Sequence, residues 1–187
     1  MQPIAHHLER YRDYLRLLAE AQTGQAVKAR VDLSGVVQQS LWECTRTLES
    51  GGPSDSVALT KLLRQILSNN LRDEIRRATA QRRDVRLERS IESSSVRLAG
   101  VLAAESPSPS ENAMQSERAL LVTDAIMKLN EAYREVVIRH YIAGNSIDEV
   151  ASTMNRTTAS VAGLLHRALR ELRQILSHLN ERQQHGK

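Results

Sequence analysis

Phenylalanine is absent from this 187-residue chain, and aromatic residues together make up 3% of it. A core built without them rests on Leu, Val, Ile, Ala and Met, which suits packed helices better than an aromatic- and β-branched-rich sheet. Eight Gly and four Pro are too few for a fold with many tight turns. One cysteine, Cys44, excludes an intramolecular disulfide and a cysteine-based metal cluster. No stretch approaches the roughly eighteen apolar residues of a membrane span, and the N-terminus lacks an apolar signal core. An all-α protein without membrane insertion and with a cytoplasmic location is therefore expected.

Catalytic signals are equally scarce. The six histidines, at 6, 7, 140, 166, 178 and 185, show no ligand spacing. His6 and His7 are adjacent, whereas helical metal ligands lie three or four residues apart. Neither a Gly-rich phosphate loop nor a nucleophile elbow is present. The chain is read as no enzyme, with no catalytic residue, no metal and no cofactor; His140 is expected to pack or to cap a helix end.

What is present is helical periodicity and uneven charge. Ile4, Leu8, Tyr11, Leu15 and Leu18 predict a helix from Ile4 to Ala21. A second, from about Asp32 to Leu48, carries Leu33, Val36, Val37, Leu41, Cys44 and Leu48 on one stripe, with Asp32 as N-cap. The breaker cluster of residues 49–55 separates it from a third helix, from about Ser56 to Arg83, striped by Leu59, Leu62, Leu63, Ile66, Leu67, Leu71 and Ile75. Net charge is +4 overall, but residues 61–89 hold nine Lys/Arg against four Asp/Glu, and residues 90–117 one Arg against four Glu. The second block, with Ser93 to Ser95 and the Ser-Pro repeats of 106–110, is too polar to order a core and reads as a flexible acidic linker.

Periodicity resumes with a helix from about Glu117 to Leu129. Asn130 is placed to cap the next, which carries Tyr133, Val136, Val137, His140 and Tyr141 and ends at Gly144. Ser146 and Glu149 have capping-box spacing, so a short helix is expected over Ile147–Thr153. A turn over residues 154–157 and a long helix from Thr158 to about Asn180 complete the chain. The stretch Ser146–Leu169 thus has helix-turn-helix spacing: small Ala151 at the crossing, Asn155 for a positive φ in the turn, and apolar Val161 on the second helix. The alternative for this stretch is an ordinary αα-hairpin in a bundle.

The residues Leu129 to Val137 through Tyr141, then Ser146 to Ala151, then His166-Arg167-Ala168, resemble the sigma-4 domain of sigma-70 family RNA polymerase sigma factors. Independently, Asp32 to Trp42 resembles the sigma-2 helix that docks on the polymerase clamp, and Leu63 to Arg77 the sigma-2 helix that meets the −10 element. With no room for a sigma-3 domain, the arrangement is similar to the extracytoplasmic-function subfamily. The resemblance implies a sigma-2-like bundle over 1–86, a linker over 87–116 that holds the halves apart, a sigma-4-like helix-turn-helix over 117–182 and a disordered tail over 183–187. It implies a transcription initiation factor whose partners are core RNA polymerase, through clamp and flap, and promoter DNA, with an anti-sigma factor as a further candidate partner.

Residue by residue, the resemblance puts polymerase contacts at Asp32, Val36, Val37, Gln38 and Leu41. It puts −10 contacts at Asn69, Arg72, Asp73, Arg76 and Arg77, with Arg82, Arg83 and Arg86 prolonging the basic run. It puts −35 contacts at Arg156, Thr157, Thr158, Ser160, His166, Arg167 and Arg170. The loop Glu49–Val57 lies where such factors hold a flipped base. The chain departs from the pattern at Gly35 and Gln39, where acidic residues are usual, with Asp32 and Glu43 as substitutes, and at Leu62, where an aromatic is usual. It departs most at Ala162, Gly163 and Leu164, which replace the polar and cationic residues of a base-reading helix. The competing functions are a stand-alone helix-turn-helix regulator and a helical adaptor that binds no DNA.

Overall fold

A computed structural model of the chain describes residues 2–23, 28–53, 55–79, 91, 93–94, 97 and 111–185. Among these there are eight α-helices and no strand. They are α1 (Gln2–Glu9), α2 (Arg12–Gln22), α3 (Leu33–Glu49), α4 (Ser56–Thr79), α5 (Glu111–Lys128), α6 (Glu131–Val137), α7 (Ile147–Thr153) and α8 (Thr158–His185). A π-helical segment, Ile138–Ile142, continues α6. The all-α expectation holds.

Local chemistry sets most helix ends. The Asp32 carboxylate accepts from the Gly35 amide at 2.9 Å, satisfying a first-turn donor that has no partner within the helix. Gly51, at φ +90°, and Gly52, whose missing Cβ would meet the Thr47 carbonyl at 2.8 Å, turn the chain out of α3. The Asp55 carboxylate then accepts from the Ala58 amide at 2.8 Å and starts α4. Asn130 accepts from the Tyr133 amide at 3.0 Å and starts α6. Arg134 donates to the Met127 and Leu129 carbonyls at 2.6 and 2.9 Å, so it seals the end of α5 from the following helix.

Four boundaries differ from expectation. The helix expected over Ile4–Ala21 is two helices, because Tyr11 turns into the core and its amide donates to the Leu8 carbonyl at 2.9 Å, three residues back. An Arg12–Glu9 ion pair straddles this break. Helix α5 begins at Glu111 rather than near Glu117, and the sequence has no Gly or Pro from there to Gly144 to interrupt it. The π-helical segment was not foreseen: the Ala143 amide reaches back five residues to the Ile138 carbonyl at 2.8 Å. Ile138 and Ile142 are buried, as are Val136 and Val137. Helix α8 runs to His185, the last residue before Gly186, and not to Asn180.

Packing joins the two halves. In the first, α3 pairs with α4 and α2 lies on both; in the second, α8 crosses α5, α6 and α7. Helix α2 also packs on α5 and on the π-helical segment, and α4 packs on α5, so the buried side chains form one cluster. The halves are therefore not held apart. Three residues of the expected linker take part: Ile91 and Ser94 are fully buried and Arg97 is half-buried. The remainder of the 87–116 linker expectation up to Ser110, apart from exposed Ser93, lies outside the described residues, as do Arg82, Arg83 and Arg86.

Cys44 sits in the core of the first half, where burial pushes its thiol up to about 11. On the surface of α8, a Cβ at Gly163 would have the Arg167 guanidinium as its nearest neighbour at 3.6 Å, an ordinary contact with a flexible side chain. Gly163→Ala is expected to stabilise the protein by about 0.5–1 kcal/mol through helix propensity. Urea unfolding measures this, and a lowered midpoint contradicts it.

Candidate nucleic-acid interface

The C-terminal site is built around the junction of α7 and α8. The Ser146 hydroxyl accepts from the Glu149 amide at 3.2 Å, while the Glu149 carboxylate accepts from the Ser146 amide at 2.7 Å, which closes the capping box in front of α7. These donors hold the Glu149 carboxyl below the usual carboxylate range. Asn155 adopts φ +51°, and the Arg156 amide donates to the Ala151 carbonyl at 2.9 Å, so the turn folds as its residue types require. Ala151 and Val161 are buried where the helices meet. Both features of the expected helix-turn-helix, its turn and its apolar anchor, are present.

The outer face of α8 carries the expected residues with two changes of role. Arg156, Thr158, His166, Arg167 and Arg170 are exposed, and Ser160 is half-buried. Thr157 is engaged as the N-cap of α8: its hydroxyl accepts from the Ser160 amide at 3.2 Å. Leu164 belongs to the core, so its departure from a polar residue serves packing and removes no exposed reading position. Ala159, Ala162 and Gly163 lie between the cations, and the Arg167 guanidinium folds back toward Gly163. The result is a flat, small-residue face bordered by positive charge. Arg173 is exposed on the same face and was missed; its spacing three residues after Arg170 was the available signal.

The second cationic cluster lies on α4. Asn69, Arg76 and Arg77 are exposed, and Arg72 and Asp73 are half-buried. Arg72 donates to Asn69 at 3.3 Å and to the buried Ser68 hydroxyl at 3.4 Å. Arg76 pairs with Asp73 at 3.1 Å, and Arg77 with Glu74 at 3.2 Å. Exposed pairs of this kind are worth little, about 0–1 kcal/mol, so phosphate can displace their carboxylates. The cluster is anchored to α3 by Asn70, which donates to the buried Ser40 hydroxyl at 3.2 Å.

On α3 the docking residues divide. Val36, Val37 and Leu41 are buried in the chain's own core, at 6%, 2% and 7% exposure. The helix can bury only one face against α2 and α4, and these three lie on it. Asp32 is the N-cap of α3, and its carboxylate lies 2.5 Å from where a Cβ on Gly35 would be. The outward face presents Gln38, Gln39 and Trp42, lining a shallow groove of about 400 Å³ with Gly35. Trp42 is 53% exposed, with the Arg46 guanidinium 5.0 Å from its ring. Its exposure was not foreseen: a lone Trp beside a core stripe is ordinarily assigned inward.

This is the geometry of a helix-turn-helix packed on a second helical bundle that carries a cationic helix. Residues 119–172 match the family model for sigma-70, region 4, which covers the latter part of α5, α6, the π-helical segment, α7, the turn and the first half of α8. The match spans 54 of the 187 residues, and this segment is similar to sigma-70, region 4. No curated protein matches the chain. Among the described residues no helix is long and apolar enough to cross a membrane.

The capping box has a pH dependence with a defined sign. Because the Glu149 carboxyl is depressed in the folded protein, its contribution is complete above its unfolded value near 4.5 and is lost as pH falls through the folded value. The Ser146 amide resonance is expected to titrate with the Glu149 carboxyl in this acid range. In Glu149→Gln that inflection should vanish; its persistence there would assign the titration to another group.

Proposed function

We propose that the chain is a transcription initiation factor of the extracytoplasmic-function type, which binds core RNA polymerase and directs it to promoters through −10 and −35 contacts in the cytoplasm. The observation that carries this reading is the capped helix-turn-helix within the matched region 4 segment, joined in one chain to a second bundle with its own cationic helix. In this reading, residues 1–86 form the sigma-2-like unit and 117–182 the sigma-4-like unit. The outward face of α3 meets the polymerase clamp through Gln38, Gln39 and Trp42, and the flap meets the second unit. An exposed Trp flanked by Arg is the composition of a binding hot spot.

At the −35 element, Arg156, Thr158, Ser160, His166, Arg167, Arg170 and Arg173 face the duplex. Ala159, Ala162 and Gly163 bring the helix backbone close to the groove and offer no long side chain to base edges. Recognition therefore leans on phosphate contacts and DNA shape. At the −10 element, Asn69, Arg72, Asp73, Arg76 and Arg77 lie along the strand path, and Arg76 and Arg77 exchange their local carboxylates for phosphates.

Run-off transcription with purified core polymerase and a promoter pool tests the whole reading. Initiation at a subset of promoters is expected, and folded protein that neither binds core nor directs initiation defeats it. A stand-alone regulator would bind duplex DNA without polymerase, and an adaptor would bind neither. Trp42→Ala is expected to weaken core binding by about 1–2 kcal/mol while leaving the fold intact. Arg167→Ala and Arg170→Ala are expected to weaken binding to different −35 sequences alike, and to lower the salt slope by about one each. A loss confined to one −35 sequence would mean direct base reading.

A further inference from the structure

A cavity of about 650 Å³ lies on the seam between the two halves. Small-molecule sites occupy about 300–1,000 Å³, so its size is that of a ligand pocket. One wall is the end of α2 and the chain that follows it; the other is α6 with the π-helical segment and the residues after it. Ala21, Ile138 and Ala143 give it apolar patches, and the rest of its lining is polar or charged. None of these residues belongs to the cationic faces of α4 and α8 or to the outward face of α3.

The charges on the two walls are unevenly matched. On the α2 wall the Glu20 carboxylate accepts from Arg16 at 3.1 Å and stands 3.7 Å from the Lys28 ammonium, so one carboxylate serves two cations. Lys28 is exposed and its pairing is longer than a hydrogen bond, which leaves ammonium protons for another acceptor. On the facing wall the Glu135 carboxylate accepts both Arg139 contacts, at 2.9 and 2.8 Å, on a single oxygen. Its other oxygen and the whole of the exposed Glu131 carboxylate have no ion-pair partner among the described residues. Arg134, the remaining cation of the lining, is turned to the Met127 and Leu129 carbonyls at the end of α5. One wall thus offers free cationic donors and the other free carboxylate oxygens.

We propose that this cavity binds a short peptide with free ends, its terminal carboxylate at Lys28 and Arg16 and its terminal ammonium at Glu131 and Glu135. A simple anion would meet the two glutamates as repulsive neighbours, and a simple cation would meet Lys28 and Arg16. A ligand with one charge at each end meets neither penalty. The axes of packed helices lie about 8–10 Å apart, and about three extended residues, at 3.3–3.6 Å each, cover that distance. Between the ends, Ile138 with Ala21 and Ala143 can cover a small apolar side chain. The half-buried Asn145 side-chain amide can both donate to and accept from a peptide group. The site is independent of the sigma-factor reading, because binding there requires neither polymerase nor DNA.

Titration of the full chain with alanyl-leucyl-alanine, followed by two-dimensional NMR, tests the site. Saturable shifts are expected at the Asn145 side-chain amide and at the backbone amides of Ile138 and Ala143. N-acetylation or C-terminal amidation of the peptide should each weaken binding about tenfold, the loss of one charged hydrogen bond. In Glu131→Gln the free peptide should bind about tenfold more weakly, and N-acetylation should then matter markedly less. Lys28→Gln should do the same for amidation. Both side chains are exposed, so the variants should keep the parent's circular dichroism; if either loses helicity, the capped peptides on the parent protein decide alone. Absence of saturable shifts, equal affinity for free and capped peptides, or the same capping penalty in folded variants as in the parent would overturn the site. So would shifts confined to the α8 face. Free alanine or inorganic phosphate binding as tightly as the tripeptide would overturn its specificity for a ligand charged at both ends.

Discussion

The two-sided burial of α2 is the constraint on which the arrangement of the molecule depends. An eleven-residue helix with five buried side chains cannot satisfy them against a single neighbour. By packing on α3 and α4 on one side and on α5 and the π-helical segment on the other, it merges two bundles into one apolar cluster. Each Å² of apolar surface that this shared helix buries contributes about 25 cal/mol to holding the halves together. Polar contacts at the seam then select one register among the many that apolar surfaces alone would allow.

That packing leaves the functional faces outward. The exposed side of α8 begins at the turn after α7 and continues through Arg173, while its opposite side supplies Val161, Leu164, Leu165, Ala168 and Leu172 to the core. The same division operates on α3, where Val36, Val37 and Leu41 turn inward and Gln38 and Trp42 outward. A helix has one period of 3.6 residues, so each residue given to the core displaces its neighbours to the solvent side. The small residues Ala159, Ala162 and Gly163 on α8 follow this logic to an unusual end: an outward stretch without long side chains, with cations only at its border.

Electrostatics are tuned locally. On α4 the cations sit beside carboxylates three residues earlier, which keeps the helix stable without DNA and leaves charges that phosphate can capture. At α7 the reciprocal bonds between Ser146 and Glu149 fix the angle at which the first helix of the motif starts. At the seam, Arg97 gathers carbonyls that the π-helical segment leaves without helical partners.

Features governed by near neighbours were legible in the amino-acid order. The caps at Asp32, Asn130 and Ser146, the positive φ of Asn155, the end at Gly144 and the bounds of Ile147–Thr153 each depend on contacts within about five residues, where side-chain chemistry alone decides the backbone. So did the helical stripes, and with them the fold class and the helix-turn-helix. Tertiary structure alone decided that Trp42 faces outward, that Tyr11 breaks the first helix, and that Ile138 to Ile142 adopt a wider turn. It alone brought Ser94 and Arg97, polar residues in a polar stretch, into a part-buried network with Gln22 and the Ile142 carbonyl. Those outcomes depend on partners 45 to 72 residues away along the chain. No local pattern encodes such a partner, because its identity follows from how whole helices pack.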